Sequence, residues 1–235
     1  MSLVVTVYVP SGIVMGADSR MTLNRTEERE EAGQKVRLQQ QFVLSDSGYK
    51  VVELKTVGAG VAIYDAAMIE NQPVDSHVRR FEEEALAPGD DVQAVAEKFL
   101  AYFRDNFPKV NVGFHVAGYR VQDRASVPYV IVGHTTREPE VRRLNLNEAG
   151  QVVYGVSWSG DALIANRLID REHLPIFAAM PLQDAVDYVI HLIRTTIDTM
   201  RFEPRFPSVG GPIDVLVVRP DGMQWVQRKE LAGEA

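Results

Sequence analysis

Residues 3–9, Leu-Val-Val-Thr-Val-Tyr-Val, are β-branched or aromatic almost throughout, and Pro10-Ser11-Gly12 separates them from a second apolar run, Ile13-Val14-Met15-Gly16-Ala17. A strand with one wet face alternates apolar and polar side chains, whereas a run without alternation must be covered on both faces. The pattern predicts a hairpin over 3–17 buried between other layers of the fold. The chain has 235 residues, 46% of them hydrophobic, which is long enough to bury a large core without covalent staples.

The remaining elements follow from local pattern. Residues 24–40, with Arg25, Glu27, Glu28, Arg29, Glu30 and Glu31, read as a solvated loop or hairpin tip. Phe42-Val43-Leu44 and Val51-Val52-Glu53-Leu54 read as strands around a Ser45-Asp46-Ser47-Gly48 turn, and Val57 to Ile63 as another strand. Val92, Val95, Ala96, Phe99, Tyr102 and Phe103 share one stripe at helical spacing, which predicts a helix over 91–107. Strands are expected at 112–119 and 128–133, with weaker ones near 141–145 and 151–156. Ser159-Gly160-Asp161 is expected to open a helix reaching Ile169, with Leu163, Ile164 and Leu168 turned inward. Leu182 to Met200 form a longer amphipathic helix, and 213–226 a closing hairpin about Pro220-Asp221-Gly222. Helices segregated from antiparallel hairpins imply an α+β class and one domain over 1–235.

Composition narrows the function. With no cysteine, disulfides, thiolate metal sites and cysteine nucleophiles are excluded. A formal charge of -7 repels phosphate backbones, so no nucleic-acid partner is expected. No apolar run approaches the roughly 20 residues of a membrane helix, and the first residues lack the basic start of a signal peptide. A cytoplasmic chain with no membrane partner is expected. His77, His115, His134, His173 and His191 show no ligand spacing, so no metal and no cofactor is expected.

Chemistry gathers at the first hairpin. Removal of Met1 leaves Ser2 with a free α-amine beside its hydroxyl. That amine, with a reference pKa of about 7.7–8.0, is partly neutral at physiological pH and can take the hydroxyl's proton. Asp18 and Arg20, just past the second strand of a tight hairpin, fall close to Ser2.

The segment from Ser2 to Gly16-Ala17-Asp18-Ser19-Arg20 resembles the mature N-terminus of proteasome β-subunits, which carry a threonine nucleophile and reach an Ala-Asp-Ser-Arg motif with the same gapless spacing. Lys50 precedes Val51-Val52-Glu53-Leu54 as the family's catalytic lysine precedes a similar strand. Trp158-Ser159-Gly160 resembles its Gly-Ser-Gly, and Gly210-Gly211-Pro212-Ile213-Asp214-Val215 resembles the Gly-Gly motif before its last hairpin. The resemblance implies an N-terminal-nucleophile hydrolase with a four-layer αββα sandwich, cutting peptide or amide bonds and assembling into homo-oligomeric rings or stacks. It makes Ser2 the nucleophile, Lys50 the charge that lowers the hydroxyl's pKa, Asp18 the anchor of Lys50, and Ser159 a hydrogen-bonding partner near the amine. Arg20 falls with the oxyanion and substrate pocket, as does Tyr64, which stands where the family's oxyanion-hole glycine would be. The family's Asp and Ser before Gly-Gly are out of register here, leaving Ser208 or Glu203 to substitute. Tyr64 and that missing Asp favour the rival expectation, a catalytically inactive proteasome-like structural or binding subunit. A small-ligand-binding module has no motif behind it.

Overall fold

The computed structural model describes residues 2–31, 34–170 and 172–229. The first hairpin forms as expected, with β1 (Leu3–Val9) and β2 (Gly12–Asp18) buried at every position. Long strands β3 (Met21–Glu31) and β4 (Gln34–Ser45) follow, then β5 (Val51–Leu54), β6 (Ala59–Tyr64) and the short pair β7 (Met68–Ile69) and β8 (Gln72–Pro73). Helices α1 (Val74–Ala85) and α2 (Val92–Asn106) precede β9 (Gly113–Gln122), β10 (Ala125–His134), β11 (Arg142–Arg143) and β12 (Gly155–Gly160). Helices α3 (Leu163–Leu168) and α4 (Leu182–Met200) lead to the closing hairpin, β13 (Ile213–Arg219) and β14 (Gly222–Gln227).

One antiparallel sheet runs β12-β1-β2-β13-β14 and a second runs β11-β10-β9-β6-β5. The lack of alternation in β1 now has its cause. Leu3, Val5, Val7 and Val9 pack with Val189, Leu192 and Ile193 of α4, while Val4 and Tyr8 pack with Ala62, Tyr64, Ala117 and Val130 of the second sheet. On the other face of that second sheet, Val61, Ile63, Phe114 and Ile131 pack with Phe81 of α1 and with Phe99 and Phe103 of α2. Each residue of β1 except the polar Thr6 therefore buries an apolar side chain on one side or the other, at roughly 1.5–3 kcal/mol per large side chain.

The expected α+β four-layer αββα sandwich requires correction. The chain is mostly antiparallel β, with strands taking 41% of it and helices 25%, and its described strands fall into four sheets. The largest departure is at 24–40, expected as a solvated loop. There β3 and β4 pair along their whole length and, among the described residues, with no other strand. Cross-strand pairs Leu23–Phe42, Glu27–Leu38 and Arg29–Val36 put apolar groups on one face of this ribbon, whereas Asn24–Gln41, Thr26–Gln39 and Glu28–Arg37 make the other face polar. Two local expectations also change. Ser159 and Gly160 belong to β12 rather than to a helix start, and Leu163 and Leu168 of α3 are exposed while Ile164 is buried. Among the described residues no helix is long and apolar enough to cross a membrane.

Candidate active site

The hairpin register pairs Val4 with Ala17, which brings Asp18 level with the start of β1. Its carboxylate is fully buried and accepts four hydrogen bonds. Oδ1 accepts from the Leu3 amide at 2.9 Å and the Lys50 ammonium at 2.8 Å; Oδ2 accepts from the Gly210 amide at 2.9 Å and the Arg20 amide at 3.1 Å. Lys50 is held from behind, because its carbonyl accepts from the Ile63 amide at 2.8 Å and extends the β5–β6 ladder. Burial pulls the Lys50 pKa below its ordinary 10.5, while the charge of Asp18 and its hydrogen bond oppose the fall. Since Lys50 and the Leu3 amide share one oxygen, the ammonium lies beside residue 2.

Ser2 is buried, and its carbonyl accepts from the Asp161 amide at 2.7 Å. That bond requires Gly160: its φ is +96°, and a Cβ there would run into the Ser2 carbonyl. Ser2 immediately precedes β1, whose even-numbered residues Val4, Thr6 and Tyr8 face the second sheet. Met1, whose removal would free the Ser2 amine, lies outside the described residues.

Ser159 pairs across from Val4. Its Oγ lies 2.9 Å from Nε2 of His115, whose Nδ1 lies 2.9 Å from Oγ1 of Thr6. Tyr64 stands edge-on to His115, with ring centroids 6.0 Å apart. The tyrosine ring lies across Gly113, where any Cβ would collide with it. The next residue, Asp65, adopts a φ of +73° and is held by His134 Nε2 at 3.0 Å and Arg137 at 2.9 Å. Because Nδ1 of His134 accepts the Thr136 and Arg137 amides at 3.2 Å, Nε2 carries the proton and donates it to Asp65.

The downstream segment closes the site from the other side. Asp161 accepts from Ser208 Oγ and from Arg205 at 2.6 Å. Of the two residues expected to replace the family's Asp and Ser, Ser208 therefore reaches the site through Asp161. Glu203 lies one step further out, paired with Arg205 at 2.5 Å and Arg167 at 2.6 Å. Arg20 turns away from Ser2: its guanidinium grips Asp46 at 2.7 and 2.8 Å and the Pro207 carbonyl at 3.1 Å, clamping the root of the β3–β4 ribbon. Sequence reasoning missed His115 and Asp161, the former set aside as a scattered histidine and the latter as a residue of a helix's first turn.

Asp18 and Lys50 are thus joined beside the peptide that follows Ser2, Ser159 lies on the neighbouring strand opposite Val4 with Tyr64 edge-on to its partner His115, and the Arg20 guanidinium is held elsewhere by Asp46. A cleft of about 290 Å³, lined by none of Ser2, Asp18, Lys50 and Ser159, opens between the ribbon root, at Thr22, Leu23 and Leu44, and the loop carrying Asp65, Ala66 and Met68. Among the described residues no group of three or more His, Asp or Glu side chains is placed to hold a metal ion. No protein-family model matches the chain, and neither does any curated protein.

Proposed function

We propose that this chain is a proteasome β-subunit-like N-terminal-nucleophile hydrolase acting on peptide or amide bonds. The observation that carries the reading is the single Asp18 oxygen shared by the Lys50 ammonium and the amide of Leu3, which sets a buried cation beside residue 2. Once Met1 is excised, the Ser2 amine takes the proton from Oγ as Oγ attacks the substrate carbonyl. The tetrahedral oxyanion collapses, the C–N bond breaks, and the ammonium returns the proton to the leaving amine. Water then attacks the acyl-ester, giving its proton to the α-amine, which passes it to Oγ as the C–Oγ bond breaks and the acid product leaves. Lys50 stabilises negative charge as it grows on Oγ. Asp18 keeps Lys50 protonated by pairing with it, since a lone buried ammonium would shed its proton. We further propose a cytoplasmic homo-oligomer, as in the family it resembles.

One observation favours a second reading, an inactive structural or binding subunit. The Tyr64 side chain fills the space beside Ser159, where the family has only a glycine hydrogen.

One experiment separates the two: treat the natural protein with peptide epoxyketones, whose two electrophilic carbons are captured by a hydroxyl and an α-amine on the same residue. The hydrolase reading requires loss of Met1 by intact mass and an adduct on Ser2 that disappears with Lys50→Ala. A retained Met1, or an adduct elsewhere, leaves only the second reading.

A further inference from the structure

A chain of polar groups runs from the candidate site into the space between the sheets, from the part-buried Ser159 on β12 to His115 on β9 and Thr6 on β1, with the Tyr64 ring of β6 edge-on to His115. Thr6 and His115 are fully buried, in an inter-sheet layer otherwise made of Val4, Met15, Ala62 and Ala117. A satisfied polar chain in an apolar layer is costly to assemble and admits few orientations of its hydroxyl groups. We propose that His115 is a positioning residue of the active site, which acts through Ser159 to orient the hydroxyl that the hydrolase reading sets beside the residue-2 amine and so to set how that amine holds its proton. This inference rests on the hydrolase reading and assigns it a residue that the proteasome-like motifs do not contain.

A neutral imidazole has one donor and one acceptor. If Nδ1–H donates to Thr6, Nε2 accepts the Ser159 hydroxyl proton, and the Ser159 lone pairs are left to accept an N–H from the amine. The amine's own lone pair is then free to face Oγ of Ser2, as a general base requires. The opposite tautomer would have Nε2–H donate to Ser159 and turn the serine proton toward the amine, occupying the lone pair that the reaction needs. The ionisable group facing His115 is Tyr64, with Asp65 and His134 beyond it; no charged side chain among the described residues hydrogen-bonds the imidazole. Burial alone pushes the His115 pKa down to about 4. The ring stays neutral throughout the range in which an α-amine titrates, so its influence on that amine is one of geometry rather than charge.

The test is the pH dependence of Ser2 labelling by a peptide epoxyketone in the wild-type chain, His115→Phe, His115→Gln, Ser159→Ala and the double variant His115→Phe/Ser159→Ala. Loss of one orienting hydrogen bond is expected to lower the plateau rate about tenfold in His115→Phe and to move the midpoint to lower pH. His115→Gln, which keeps a donor and an acceptor, should recover part of both effects. In the Ser159→Ala background His115→Phe should change nothing further. A purely structural role would lower the melting temperature and leave the midpoint where it was. An unchanged midpoint in both His115 variants, or an undiminished His115→Phe effect when Ser159 is absent, overturns the inference while leaving the hydrolase reading intact. If the wild-type chain does not label at all, the hydrolase reading fails and the inference falls with it.

Discussion

Replacing Asp18 by Asn probes the centre of the site without changing its shape. The carboxylate accepts four donors, two on each oxygen, and among them are three backbone amides that cannot turn away. An asparagine can present oxygen to only one pair, so whichever way the amide is flipped, two donors face an NH2 group. Each orphaned buried donor costs about 1–3 kcal/mol. Lys50 loses its counter-ion at the same time; an ammonium stranded in a protein interior costs about 3–5 kcal/mol, reduced here because burial already depresses the Lys50 pKa and the group can discard its proton. Together these place the expected loss at about 4 kcal/mol, a large share of a domain's net stability. Adding Lys50→Met to Asp18→Asn removes the stranded charge, and about 2 kcal/mol should return as a coupling between the two positions. Urea denaturation of the four proteins of this cycle measures both quantities from the midpoints at constant m. A cost for Asp18→Asn below about 1.5 kcal/mol, or additivity of the two substitutions, would refute the shared-oxygen geometry as the organiser of the site.

Three further outcomes follow from other parts of the molecule. The folded-state pKa of His115 is about 4 against an ordinary 6.5, so between those values the unfolded chain binds a proton that the folded chain refuses. Stability from this group is complete above pH 6.5, is lost as pH falls toward 4, and amounts to about 3 kcal/mol; comparing urea midpoints at pH 7 and pH 4.5 in the wild type and His115→Gln isolates it. Gly160→Ala forces a Cβ into the Ser2 carbonyl at a left-handed backbone position, and the expected result is loss of the Asp161–Ser2 bond, read as fast amide hydrogen exchange at residue 161. Phe99, fully buried and stacked on Phe103 with centroids 4.5 Å apart, should cost about 3–5 kcal/mol as Phe99→Ala by denaturant titration.

How much of this was readable from residues alone depended on whether one segment carried the signal. The β1–β2 hairpin, α2, α4 and the closing hairpin all showed in the sequence because each is stamped by burial of its own side chains. Helix α1 carries the same stamp, with Val74, His77, Val78 and Phe81 at helical spacing, yet the surrounding Arg79, Arg80 and Glu82–Glu84 drowned it. The β3–β4 ribbon escaped because both of its faces meet solvent, which thins the apolar alternation to Val36, Leu38 and Phe42. In the site, Asp18 stood out through gapless spacing from residue 2 within the first hairpin, and Lys50 through its place at the head of β5. His115 had no such context. Its partners are Thr6, 109 positions away, and Ser159, 44 positions away, and only the stacking of two sheets brings them into contact. Asp161 was hidden for a related reason: its partners Arg205 and Ser208 come from the segment beyond α4.

The ribbon's root gives its position a mechanical meaning. Arg20 ties the base of β3 to Asp46 and Pro207 with its side chain while donating its own amide to Asp18. A lever roughly 35 Å long, from about ten strand residues at 3.4 Å each, is thus pivoted one peptide away from the carboxylate that holds Lys50. The exposed ribbon therefore joins the body of the fold at the same residue that touches Asp18, whose ion pair with Lys50 is buried.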